Sequence, residues 1–281
     1  MFTKLMTSAL SMSIFATGCM TEADVATGGD GDQAAVAETE QALAGNGSYS
    51  WGDTKYSFAD IGSIVGRACF MSGIAGYLTT NQFPEGDTQA GAGVDLDPAT
   101  NQYKIYVDPA FSGVTLQTWA RCANASNITS EVTWRAGQPK AILAPVTAAR
   151  RCFITSLTTG RDGQFPHGGF QSLNDGVWVG NDGTNWYING SQSGLVWASA
   201  RCIDVNEDLG QFFNWANEGT TNTRALVPAT NGATCFLTQV SGKLTTSNDW
   251  EAGPHVVYNA AYNYFDFTSK NGNGGYVRCV R

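Results

Sequence analysis

Short alternating apolar runs, separated by clusters of Gly, Asn, Asp, Ser and Thr, make up the chain from Trp51 onward. Cys69-Phe70-Met71-Ser72-Gly73-Ile74 opens one such run; Cys152 to Leu157 and Cys235 to Val240 open two more. A polar, Gly-rich stretch follows each, and then a pair of runs. The pairs are Val94-Asp95-Leu96 with Tyr103-Lys104-Ile105-Tyr106, Val177-Trp178-Val179 with Trp186-Tyr187-Ile188, and Val256-Val257-Tyr258 with Tyr264-Phe265-Asp266-Phe267. Loops ending in Asn101, Asn185 and Asn263 join the partners, so each pair predicts a β-hairpin. A last strand in each set ends in Arg-Cys. No stretch holds a 3.6-residue apolar period long enough for a major helix, and the pattern predicts an all-β fold.

The landmarks recur. Cys69-Phe70, Cys152-Phe153 and Cys235-Phe236 are spaced 83 and 83 residues apart, and Arg121-Cys122, Arg201-Cys202 and Arg278-Cys279 are spaced 80 and 77. Trp51 and Trp134 each stand 18 residues before their Cys-Phe, and Trp215 stands 20 before. This periodicity predicts three diverged copies of one β repeat of about 80 residues, over 49–123, 124–204 and 205–281. The copies could stand in tandem or pack around a pseudo-threefold axis. Near-constant spacing and short connections (123–131 and 203–211) favour close packing.

Six cysteines belong to the repeats. Pairing within each repeat, Cys69–Cys122, Cys152–Cys202 and Cys235–Cys279, is the expectation. Each bond would close a loop worth about 4 kcal/mol in the chain-entropy account. A rival set respects the same repetition: Cys122–Cys152, Cys202–Cys235 and Cys279–Cys69, which would staple a ring shut. Sequence alone leaves both open.

The seventh cysteine lies near the start. Met1 to Lys4 is weakly basic, and Leu5 to Ala16 is mostly apolar and uncharged, suiting a signal-peptide core and too short to span a membrane. Ala16-Thr17-Gly18-Cys19 then resembles the lipobox of bacterial lipoproteins, although Ala stands where Leu is commonest. The resemblance implies that residues 1–18 are a signal peptide and that Cys19 is diacylated and becomes the first residue. It also implies a membrane as partner, at the outer membrane or cell surface, with release from the cell as a further outcome. Ordinary cleavage beside an incidental cysteine is the other reading. Residues 20–48 are rich in Gly, Ala, Thr and acid, with no aromatic residue, which predicts a disordered tether. It would hold the body on the order of 30 Å from the membrane.

Charge adds one exclusion. The net charge of −8 resides largely in that tether, which carries six acids and no base between Cys19 and Ala44. From Gly45 onward 18 acids face 15 bases, with no basic stripe, so nucleic acid is not an expected partner.

Candidate chemistry is sparse. His167 and His255 are the only histidines, and both follow a proline, as does Glu85 in the first repeat. Brought together, Glu85, His167 and His255 would make a two-His, one-carboxylate metal set. Turn chemistry explains the same Pro-X pattern without metal. Asp204-Val205-Asn206-Glu207-Asp208 has the alternating acids of a calcium loop, but Trp215 occupies the twelfth position where Glu belongs. No Gly-x-Ser-x-Gly or His-Glu-x-x-His motif is present. No catalytic residue and no cofactor is therefore expected. Aromatics beside amides at the hairpins make the best binding candidates: Asn101 and Tyr103; Asn185, Trp186 and Tyr187; Asn263 and Tyr264. A ring could stack on a sugar while amides bond its hydroxyls. In a strand, however, one of two adjacent rings faces the core. The expectation is a non-enzymatic surface lipoprotein whose β body serves recognition or adhesion, glycans included. A structural envelope protein and an extracellular hydrolase of glycosidase type are the alternatives.

Overall fold

Cys-Phe and Arg-Cys are register partners. In the computed structural model, which describes residues 37–39, 48–53, 56–79, 89–109, 114–160, 168–245, 249 and 251–281, Cys69 stands opposite Cys122, Cys152 opposite Cys202, and Cys235 opposite Cys279 on paired antiparallel strands. Each of these pairs is a disulfide, closing 53, 50 and 44 residues. No helix occurs among the described residues; all regular elements are strands.

In chain order these are β1 (Ala37–Thr39), β2 (Ser48–Asp53), β3 (Ser57–Ser63), β4 (Arg67–Gly76), β5 (Ala90–Asp97), β6 (Gln102–Asp108) and β7 (Leu116–Asn124). Then follow β8 (Val132–Arg135), β9 (Ala141–Pro145), β10 (Arg150–Thr159), β11 (Gly176–Asn181), β12 (Asn185–Ser191) and β13 (Val196–Asp204). The last third holds β14 (Asp208–Trp215), β15 (Thr221–Pro228), β16 (Thr234–Gly242), β17 (His255–Asn259), β18 (Tyr264–Lys270) and β19 (Asn273–Val280). The hairpins read from the sequence are β5–β6, β11–β12 and β17–β18.

The sheets do not follow the chain. One runs β1-β2-β7-β4-β17-β18-β15, the second β3-β6-β5-β10-β13-β8, and the third β14-β19-β16-β11-β12-β9. β1 apart, each sheet therefore joins three strands from one third of the chain to three from another, and no third completes its own sheets. Residues Gln33–Arg281 form one compact unit; the other, Met1–Asp32, lies outside the described residues, as does the lipobox with Cys19.

Two features bind the thirds. Phe70, Phe153 and Phe236 are fully buried and meet one another, with ring centres 5.0, 5.0 and 4.8 Å apart. Burying each ring contributes about 1.5–3 kcal/mol, and the tilted contacts suit the ring quadrupoles. Second, a β-bulge falls at the same place in each Cys-Phe strand, between Met71 and Gly73, Ile154 and Ser156, and Leu237 and Gln239. The extra residues are Ser72, Thr155 and Thr238, all buried. A bulge sharpens the local twist and lets a strand leave one sandwich for the next. The disulfides, each within one third, lie inside apolar clusters: Cys69 and Cys122 pack with Tyr49, Ile61, Val94, Tyr103 and Ile105.

Candidate functional site

Strand alternation puts Tyr103, Ile105 and Val107 of β6 into the core and turns Lys104 and Tyr106 outward. On the flanking strands Phe58 lies opposite Tyr106 and Asp60 opposite Lys104, while β5 sets Gly93 opposite Tyr106 and Asp95 opposite Lys104. Tyr56, Phe58, Asp95, Lys104 and Tyr106 line a cleft of about 150 Å³ on this outer face. Its two rim rings are unusually open for aromatics: Tyr56 is 61% exposed and Phe58 46%, with ring centres 6.2 Å apart.

The polar groups around them are held in place. Lys104 Nζ lies 4.5 Å from the centre of the Phe58 ring and 2.7 Å from Asp97 Oδ2. That ammonium, with the Ala99 N–H, holds the Asp97 carboxyl down to about 2. Asp95 Oδ1 accepts from the Leu96 N–H at 2.7 Å. Burial pushes the Tyr106 phenol up to about 12, against the pull of the Thr158 and Ser156 hydroxyls, so it is a hydrogen-bonding group at any physiological pH. Gly93 makes the floor possible: a Cβ there would sit 2.5 Å from Ser156 Cβ. The arrangement offers ring faces, an acceptor, a cation and a phenol to one small polar ligand.

The hairpin residues singled out from the sequence divide. Tyr103 and Trp186 are buried, at 1% and 4% exposure, and are covered by the guanidinium groups of Arg201 and Arg278, 5.8 and 5.7 Å from the ring centres. Neither presents a face to a ligand, because both sit on the inward side of their strands. Tyr187 is half-buried over Gly180, with Lys140 Nζ 4.6 Å from its ring, and Tyr264 is exposed. The asparagines serve the turns. Asn101 and Asn263 adopt left-handed backbone (φ 54° and 53°), and Asn263 Oδ1 accepts from the Tyr258 hydroxyl at 3.0 Å. At the middle hairpin Gly183 takes that conformation instead, and Asn185 begins β12. Each tip is tied back to its own third: Ile64 N donates to Asn101 O, Val146 N to Thr184 O and Ala229 N to Asn263 O.

Of the metal constellation only His255 lies among the described residues, which contain no group of three side chains that could hold a metal. Glu85 and His167 lie outside them. His255 opens β17, 3% exposed, with its ring stacked on Trp119 at 4.4 Å and 12°. Gly73 allows this, since a Cβ there would come within 2.3 Å of His255 Cβ. The acids of the calcium-like stretch are engaged by arginines: Asp204 by Arg150, Glu207 by Arg281, and Asp208 by both Arg151 and Arg278.

Sequence reasoning passed over Tyr56 and Phe58. The alternation Phe58-x-Asp60 is the signal that could have found them, but only the β3–β6 register shows which side chains stand beside it. A scan against protein-family models finds no match for this chain, and a search of curated proteins finds none with significant similarity.

Proposed function

We propose that the chain is an exported recognition protein held at the cell surface, and that the cleft of Tyr56, Phe58, Asp95, Lys104 and Tyr106 binds a sugar. The observation that carries this reading is the pair of exposed rings, Tyr56 and Phe58, beside an acid, a base and a phenol. A ring face accepts the apolar side of a pyranose, while Asp95 accepts, Lys104 donates and Tyr106 does either. The body that presents the cleft is, in this proposal, three diverged copies of one repeat about a pseudo-threefold axis. The cyclic sharing of strands among the three sheets, the recurring bulge and the Phe70–Phe153–Phe236 triangle support it.

Three disulfides are consistent with an exported protein, since such bonds persist in oxidising compartments. Acylation of Cys19 and a tether over residues 19–48 complete the proposal of a lipoprotein anchored to a membrane. Intact mass of the mature protein tests it: a diacylglycerol adduct on a chain beginning at Cys19 is expected, and an unmodified N-terminus elsewhere rejects it.

Applied in mild detergent to a glycan array, the full chain should retain a limited set of sugars, and Phe58→Ala should weaken retention about tenfold or more. A chain that retains no glycan ends the sugar-binding reading. An undiminished signal from Phe58→Ala would move the site elsewhere. Turnover of those glycans in a glycosidase screen would replace recognition by hydrolysis.

A further inference from the structure

The three arginines that precede the second cysteine of each disulfide have unequal surroundings. Arg201 Nη2 donates to Glu131 Oε2 at 2.8 Å, with Tyr103 beneath the guanidinium. Arg278 donates from Nη1 to Asp208 Oδ2 at 2.7 Å and from Nη2 to Gln211 Oε1 at 3.2 Å, over Trp186. Arg121 is 2% exposed and lies 4.4 Å from the centre of the Phe265 ring, yet its buried Nε has no hydrogen-bond partner and no carboxylate pairs with its guanidinium among the described residues.

Register explains the difference. Gln211 stands opposite Arg278. Glu131 stands one place beyond the Val132–Ala200 pair, which sets it opposite Arg201. The residue opposite Arg121 is Ser48, so the first third has no acid at this position. Burial pushes the Arg121 guanidinium down to about 9, still charged at neutral pH. A ring face attracts a cation but supplies no oxygen to its N–H donors. An unpaired buried charge is strongly unfavourable, so a counter-charge is required.

We infer that Arg121, above Phe265, is a binding site for one small monovalent anion, either chloride or a carboxylate, doing for the first third what Glu131 and Asp208 do for the others. The site is distinct from the aromatic cleft and does not depend on the sugar reading.

Thermal unfolding of the full chain at constant ionic strength tests it, with sodium sulfate exchanged for sodium chloride in one arm and for sodium formate in the other. Sulfate raises the melting temperature of any fold by exclusion from its surface, so each salt is read against Ser48→Glu in the same salt. Relative to that variant, the wild type should gain about 2–4 °C on going from sulfate to chloride, formate or both. A response to chloride alone identifies the inorganic ion, to formate alone a carboxylate, and to both an unselective site. Ser48→Glu supplies the acid from within; it should melt higher than wild type in sulfate. Arg121→Met should lose the response without that gain, and if it fails to fold, Ser48→Glu decides. A wild type whose difference from Ser48→Glu is the same in all three salts overturns the site.

Discussion

The seam between β5 and β10 and the seam between β17 and β4 join thirds of the chain by different means. The first is a four-pair ladder, Ala90 to Gly93 against Ser156 to Thr159. The second, which links the first third to the last, has a single ladder pair, His255 with Gly73. Regular pairing stops there because the next residue, Pro254, has no N–H to donate. Its carbonyl still accepts from Ile74 N at 3.0 Å, and Ala252 O accepts from Gly76 N at 3.2 Å. Side chains do the rest: His255 stacks on Trp119, and Arg121 lies over Phe265. A backbone ladder is indifferent to pH. The closing seam depends on a titratable ring, a glycine and a buried cation, and is correspondingly easier to open.

The largest expected effect strikes both seams. Phe153 touches Phe70 and Phe236, so Phe153→Ala should cost about 3–5 kcal/mol in urea unfolding. A loss below about 1 kcal/mol would mean the three rings do not hold the thirds together. Next come two glycines that separate the seams. Alanine at Gly73 would place Cβ 2.3 Å from His255 Cβ, and at Gly93 2.5 Å from Ser156 Cβ, each costing about 1–3 kcal/mol. Hydrogen exchange should then differ: Gly73→Ala exposes β17 amides, while Gly93→Ala leaves the rest of the β5–β10 ladder protected. Equal protection in both variants would erase the distinction drawn here.

Acid supplies a smaller effect at the closing seam alone. Burial lowers the His255 pKa, and neighbouring Lys270 adds to this, while the Gly253 carbonyl and the carboxylates of Glu251 and Asp249 oppose it. The folded state thus favours the neutral ring. Its contribution is complete above the unfolded value, about 6.5, and is lost as pH falls from there toward the folded value. The melting temperature should therefore drop between pH 7.5 and 5.5, with β17 losing protection first, and His255→Phe should flatten that drop. The window is separate from that of Asp97, whose stabilising ionisation is lost only between its ordinary value and about 2. A drop that persists unchanged in His255→Phe would assign it to other groups. Smallest is Phe58→Ala, on β3, a strand that takes part in neither seam; it should shift stability by about 0.5 kcal/mol or less while weakening ligand retention. A large destabilisation would make Phe58 a packing residue.

Much of the fold was legible. Cys-Phe and Arg-Cys spacing, the hairpins and the absence of helix among the described residues all follow from local pattern, since turn chemistry and two-residue alternation act over a few residues. The candidate site was less so. Alternation stated that one of Trp186 and Tyr187 faces inward, and Trp186 is the one, beneath Arg278. For Tyr103 the same rule was silent, because a lone ring has no neighbour to set its parity. Tyr56 and Phe58 became a site only through pairing with a strand more than 40 residues on.

By itself, the order of residues determined strand texture, the turn residues Asn101 and Asn263, the recurring landmarks and the supply of six cysteines in matched places. Those are consequences of short-range sterics and of apolar periodicity. Only the tertiary structure decided that each third divides between two sheets, that among the described residues Arg201 and Arg278 meet acids while Arg121 does not, and which aromatics remain exposed. Those outcomes depend on partners brought together across the whole chain, where register between distant strands, and no local preference, sets what each side chain faces.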